Sequence, residues 1–373
     1  MAAPVRVREI ELRRVHLPLV LPFEAAHGTE RERDLLLVRA RTDAAEGWGE
    51  CGALAAPTYT SEYVDGAHAV VRDHLAPRLL AAGPIRAEAV RPLLSPVKGH
   101  RMAKAAIETA ILDAGLRSEG RSLADRLGAV ADRVPCGVAV GIAASAEALL
   151  DEVGAYVSKG YRRVKLKIQP GWDRTPVAAV RERFGDDLIL QADANGAYGV
   201  GDADSLRALD PYHLACLEQP LPDEQLLETA HLARRLETPI CLDESIVSQA
   251  TARDAIELGA CRVVCLKPSR VGGYLEALRI HDLCRERGVG LWVGGMLESG
   301  LGRAGNLALA ALPGCTLPGD LSGSDRYYAR DLIREPLQVE HGTMAVPTGP
   351  GLGISVDTFF VEACTRTLER LAA

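Results

Sequence analysis

VKLK (Val164–Lys167), LILQAD (Leu188–Asp193), ACLE (Ala215–Glu218), ICLD (Ile240–Asp243) and VVCLK (Val263–Lys267) are short apolar runs that each end on an ionisable side chain. Their terminal residues, Lys167, Asp193, Glu218, Asp243 and Lys267, follow one another at steps of 26, 25, 25 and 24 residues. A step of that size holds one strand and one helix, so the chain repeats a βα unit. Parallel strands covered on both faces read as continuous apolar runs. Further runs near residues 135–140, 290–294 and 315–318 bring the predicted strands to eight, beside those near 163–168, 188–193, 215–218, 240–243 and 263–267. The pattern predicts an α/β fold closed as a (β/α) barrel, in which active sites stand at the C-terminal ends of the strands.

The residues at those ends have a chemistry in common. Lys165 and Lys167 sit at i and i+2 on one strand, so their side chains share a face about 6.6 Å apart. On the inward face of a barrel, mutual repulsion and burial would lower a lysine pKa and make a base usable near neutral pH; a strand end with both lysines in water is the alternative. Asp193, Glu218 and Asp243 offer three hard oxygen ligands from consecutive strands, a set suited to Mg²⁺. Each acid also reads singly as a helix N-cap, but three in register favour the metal. Asn195 and Glu244 follow two of these acids and either support them or serve the backbone. Lys267 ends the sixth strand, across the barrel from the second, and so faces Lys167. Arg270 either tunes Lys267, binds a carboxylate or is a solvated surface arginine. Gly272-Gly273 and Gly294-Gly295 allow backbone approach to an anion or simply make tight turns. TGPGLG (Thr348–Gly353) lacks the strand-then-helix setting of a dinucleotide fingerprint and has no nucleotide role.

Around the repeat, residues 5–20, 34–40 and 47–51 predict a small antiparallel sheet, with a loop between the first two strands, and helices are expected over 61–80, 87–94 and 101–117. In the last of these, Met102, Ala106, Thr109, Ala110, Asp113 and Ala114 fall near one face. After about Arg326 the alternation stops, and a tail with a short polar helix is expected to pack on the N-terminal domain. The division expected is 1–130, 131–325 and 326–373. The 373 residues carry a net charge of −7 and 47% hydrophobic residues, which argues for a large core and against nucleic acid or an anionic membrane as partner. Nine cysteines, several in apolar strands, read as buried thiols, and no zinc spacing accompanies Cys261 and Cys265. The N-terminal residues show no apolar leader and no run is long enough to span a membrane, so a cytoplasmic protein is expected.

With GYRRVKLKIQPGWD, LQADANGAY, LEQPL, TPICLDESI, LKPSRVGGYLEA, GGMLESGLGRA and LPGDLSGSDRYY, and with KGHRMAKAAIETAILDA and GECGALAAPTYTSEY before them, the chain resembles the enolase superfamily over nearly its whole length. Within the muconate-lactonizing-like subgroup it is most similar to the o-succinylbenzoate synthase and N-succinylamino acid (N-acylamino acid) racemase branch. The resemblance implies a (β/α)₇β barrel under an α+β capping domain built from both termini. It implies Mg²⁺ on Asp193, Glu218 and Asp243, with Mn²⁺ or Co²⁺ as substitutes, and Lys167 and Lys267 as acid/base pair with Lys165 beside the substrate carboxylate. Phe23, His27, Thr58 and Tyr59 from capping loops, with Gly295 and Met296, would line the substrate site. His27 and Cys265 depart from the branch, where an aromatic and an asparagine are usual. The implied chemistry is α-proton abstraction from a small carboxylate to an enediolate. Dehydration would give o-succinylbenzoate on the menaquinone route; protonation from the other face would racemise an N-acylamino acid. A dedicated racemase, a dipeptide epimerase or a cycloisomerase are the alternatives inside the family, and a Schiff-base lysine aldolase is the one outside it. A homo-oligomer, dimer or octamer, is also implied.

Overall fold

A computed structural model describes residues 4–25 and 28–372. Seven parallel strands, Gly137–Val140, Arg163–Lys167, Ile189–Asp193, Leu217–Glu218, Ile240–Leu242, Val263–Leu266 and Gly290–Val293, pair in sequence order as one curled sheet. Most of these strand residues are buried, as expected of a sheet covered by helices. Register aligns the chemistry: Lys167 lies beside Asp193, and Asp193 beside Glu218.

The eighth strand expected at 315–318 does not form. An irregular segment fills its place. Thr316 and Asp320 donate their backbone N–H to Leu291 and Val293, and Gly137 donates to Gly319. Pro318 has no N–H to give a ladder, which accounts for the broken strand. The segment still joins the two edges of the curled sheet.

A separate four-stranded antiparallel sheet runs in the order Thr365–Ala372, Val7–Ala25, Gly28–Thr42, Glu46–Cys51; the loop expected between its first two sequence strands is instead a continuation of the ladder, with Phe23 opposite Glu30. The tail therefore returns to the N-terminal sheet, though not as a helix alone. Helix Thr358–Cys364 gives way to a strand in which Glu9 lies opposite Ala372 and Arg13 opposite Leu368. Helix Arg101–Glu119 packs under this sheet. Gly47 and Gly49 permit the contact: a Cβ at Gly49 would lie 1.9 Å from the Ala106 carbonyl oxygen, and one at Gly47 2.1 Å from that of Ala110. The helix is buried on nearly every side rather than on the one face expected, because barrel elements cover its other flank. Among the described residues, no helix is long and apolar enough to cross a membrane.

Candidate active site

Lys165, Lys167, Asp193, Glu218, Asp243 and Lys267 converge at the C-terminal mouth of the curled sheet, and all are buried. Lys167 Nζ donates to Asp193 Oδ2 at 2.7 Å and to Asn195 Oδ1 at 2.6 Å. Lys165 Nζ lies 3.0 Å from Asp193, 3.0 Å from Glu218 and 2.6 Å from Asp320. Lys267 Nζ donates to Asp243 Oδ2 and to the Tyr59 hydroxyl, each at 2.8 Å. Arg270 is buried, not solvated: its guanidinium pairs with Asp243 and donates to the Cys265 and Ile246 carbonyls. Asn195 Nδ2 donates to Glu244 Oε1 at 2.8 Å, which ties two strand-end loops together.

At Lys165 the electrostatics differ from the expectation of a depressed lysine. Burial alone would lower Lys165, but Asp193, Asp320 and Glu218 outweigh it and hold the ammonium well above its usual range. Lys267 is likewise held up against burial by Asp243. The missing factor in the sequence was the number of carboxylates that meet each amine. Burial pushes Glu218 up to about 8, with Asp193 adding to the rise and Lys165 opposing it. Burial also raises Glu244 to about 7, with Asp243 and Asp193 contributing. Asp193 and Asp243 stay below the usual range, since their lysines and Arg270 overcome burial.

This acid cluster fits a divalent cation. Burial and the neighbouring Asp193 and Asp243 raise Glu218 and Glu244, and Glu244 Oε2 is buried without a hydrogen bond. The donors are mainly oxygen, as hard ions require. One oxygen each from Glu218 and Asp243 lies within 4.8 Å of the other and of Cys265 Sγ. Asp193 is outside that tightest group and reaches Glu218 through the shared Lys165.

A cavity of about 70 Å³ opens over these groups, lined among others by Lys165, Lys167, Lys267, Asn195, Phe23, Tyr59, Gly295 and Met296. Thr58 is exposed and is not part of the lining. His27 lies outside the described residues. The sequence reading missed Asp320, Arg163, Gln191, Glu30, Arg303 and Tyr327. Asp320 stands one repeat, 27 residues, beyond Val293, so extending the periodicity would have found it. Arg163 pairs with Asp320 and donates to Gln191 Oε1 at 2.9 Å, and Gln191 in turn donates to Glu218 Oε2 at 2.6 Å. A row of polar side chains thus runs under the acids.

Residues 148–359 match the family "Enolase C-terminal domain-like", and residues 7–128 match "Mandelate racemase / muconate lactonizing enzyme, N-terminal domain". The chain is 59% identical to an N-succinylamino acid racemase of Amycolatopsis sp, over 94% of this chain and 95% of that one. It is 43% identical to the o-succinylbenzoate synthase of Bacillus subtilis, over 95% of each. A solved enolase-superfamily structure from Listeria innocua superposes with a TM-score of 0.95 at 37% identity, covering 99% of both chains.

Proposed function

We propose, from the premise that this chain belongs to the enolase superfamily, that it removes the α-proton of a small carboxylate between Lys167 and Lys267. As an enzyme of this superfamily with close relatives of both names, it would act as an o-succinylbenzoate synthase and as an N-succinylamino acid (N-acylamino acid) racemase. The observation that carries the reading is that lysines from the second and sixth strands line one cavity, with three acids from the strands between them. The strands are two steps and six steps along an eight-position ring, so the amines approach a substrate from opposite sides.

Asp193, Glu218 and Asp243 would hold Mg²⁺, with Mn²⁺ or Co²⁺ as substitutes. When bound, such an ion supplies positive charge to the substrate carboxylate as negative charge builds there. Lys167, aimed by Asn195, takes or returns a proton on one face. Lys267 rests as an ammonium beside Asp243 and Tyr59, so it serves as proton donor or fixed cation on the other. Lys165 bridges Asp193, Glu218 and Asp320 and places a positive charge at the cavity floor. Phe23, Leu54 and Met296 keep the cavity wall apolar and limit water. A Schiff-base lysine needs a depressed pKa to act as a nucleophile, which neither Lys165 nor Lys267 has. The same proposal divides the chain into 1–130 and 326–373 as the cap and 131–325 as the barrel, working in the cytoplasm as a homo-oligomer.

The test is a paired assay of the purified protein with Mg²⁺. One arm follows dehydration of the cyclohexadiene precursor to o-succinylbenzoate by absorbance. The other follows racemisation of N-succinyl-phenylglycine by polarimetry. Turnover in both arms, lost with EDTA, is expected. Silence in both with Mg²⁺ bound would overturn the substrate class.

A further inference from the structure

Cys265 stands two residues before Lys267 on the sixth barrel strand, so both side chains face inward. It is fully buried. Its Sγ and one carboxylate oxygen from each of Glu218 and Asp243 all lie within 4.8 Å of one another. The surroundings fix it there. Arg270 holds the Cys265 carbonyl at 2.9 Å. Gly294 leaves the thiol its room: a Cβ there would lie 2.6 Å from Cys265 Sγ and 2.7 Å from Lys267 Cε. Beyond this trio, Glu244 is buried with Oε2 unpartnered, next in sequence to Asp243.

Two carboxylates with a thiol make a different ligand set from three carboxylates. Hard ions such as Mg²⁺ take oxygen, whereas a thiolate selects Zn²⁺, Cd²⁺ and other thiophilic ions. Tetrahedral bonds of about 2.3 Å to sulfur and 2.0–2.2 Å to oxygen place donor atoms roughly 3.5 Å apart. Three donors already lie within 4.8 Å, and an ion there competes with Arg270 and Lys267 for Asp243 and with Lys165 and Gln191 for Glu218. The sequence spacing of Cys261 and Cys265 hides this, because the partners are acids from other strands.

We propose that Cys265, Glu218 and Asp243 form a thiolate-containing site that captures thiophilic divalent ions and excludes the hard ion from the same acids. The inference rests on Glu218 and Asp243 being ion ligands, as in the function proposed above. On capture the metal–sulfur bond replaces the S–H bond, and the proton leaves to solvent; no electrons are exchanged. Because two ligands are shared, Zn²⁺ or Cd²⁺ competes with Mg²⁺ rather than adding to it.

The test titrates the metal-free full-length protein with Co²⁺ alone and with Cd²⁺ alone. The expected result is a near-ultraviolet sulfur-to-cobalt charge-transfer band beside the visible cobalt bands. In Cys265→Ser that band disappears, Cd²⁺ affinity falls by about 10–100-fold, as for loss of a group at a metal site, and Mg²⁺ affinity is unchanged. The ¹¹³Cd NMR shift of the unaltered protein counts sulfur ligands without any variant, and one is expected. Visible cobalt bands with no sulfur band, or a sulfur band that survives in Cys265→Ser, would overturn this inference and leave the Mg²⁺ reading intact. Failure of both Co²⁺ and Mg²⁺ to bind would overturn the two together.

Discussion

Glu108 joins the capping helix to the first turn of the barrel helix Tyr274–Arg287, since the Leu275 N–H donates to its Oε1 at 3.0 Å. Burial pushes this carboxyl up from 4.5 to about 7, with the Leu275 N–H and Arg279 opposing the rise. The folded state therefore holds the Glu108 proton more tightly than the unfolded chain. The resulting stabilisation is complete below pH 4.5 and is lost as pH rises through about 7. At about 1.4 kcal/mol per pKa unit, the full loss is about 3 kcal/mol. Glu108→Gln keeps the acceptor oxygen and cannot ionise, so it escapes this loss. Its amide N–H₂ lacks an acceptor, which costs about 1–2 kcal/mol at every pH. Thermal unfolding of both proteins without metal at pH 5 and pH 8 isolates the carboxyl. An unfolding entropy near 2.1 cal/mol/K per residue converts the pH-dependent part to roughly 3 °C for a chain of this size. The variant's Tm relative to the parent should rise by about that amount from pH 5 to pH 8. An equal difference at both pH values would refute a neutral buried Glu108.

Lys165→Met leaves Glu218 with Gln191 as its remaining side-chain partner, while Asp193 keeps Lys167 and Asp320 keeps Arg163. At pH 9, one orphaned buried carboxylate should cost about 3–5 kcal/mol, and saturating Mg²⁺ should recover about 3 kcal/mol at 100 times Kd; melting curves with and without EDTA measure both. Asp243→Asn should weaken Mg²⁺ binding by at least about tenfold and leave the barrel folded, as calorimetry and circular dichroism would show. Gly49→Ala drives a methyl into the Ala106 carbonyl oxygen and should destabilise by at least about 1–3 kcal/mol, visible in urea unfolding.

The strand ends could be read from sequence because buried parallel strands are continuous in hydrophobicity and the repeat is regular. Lys167, Asp193, Glu218, Asp243 and Lys267 all stand buried at the C-terminal ends of the curled sheet's strands for that reason. Asp320 escaped because Pro318 and Gly319 break the last run, and chain closure there depends on three backbone hydrogen bonds rather than on a strand. The protonation of Lys165 also escaped. Sequence shows one neighbouring lysine at i+2, whereas the fold brings three carboxylates, two from strands and one from the irregular closing segment, to its Nζ. The terminal strand Thr365–Ala372 is half exposed at a sheet edge, so its hydrophobic signal is weak. Tyr59 illustrates a long-range contact: it lies 208 residues from Lys267 in sequence and 2.8 Å from it in space.

The central claim is that Lys167 and Lys267 work from opposite faces of one substrate. Loss of the α-proton signal of each enantiomer of N-succinyl-phenylglycine in D₂O with Mg²⁺, followed by proton NMR, tests it most directly. The native enzyme should exchange and interconvert both. Lys167→Ala and Lys267→Ala should each lose racemisation by about 10²–10⁴-fold, the usual worth of a positioned acid or base. Each should keep exchange of one enantiomer, and the two variants should keep opposite ones. Racemisation at the native rate in either variant, or retention of the same enantiomer's exchange in both, would contradict the two-face arrangement.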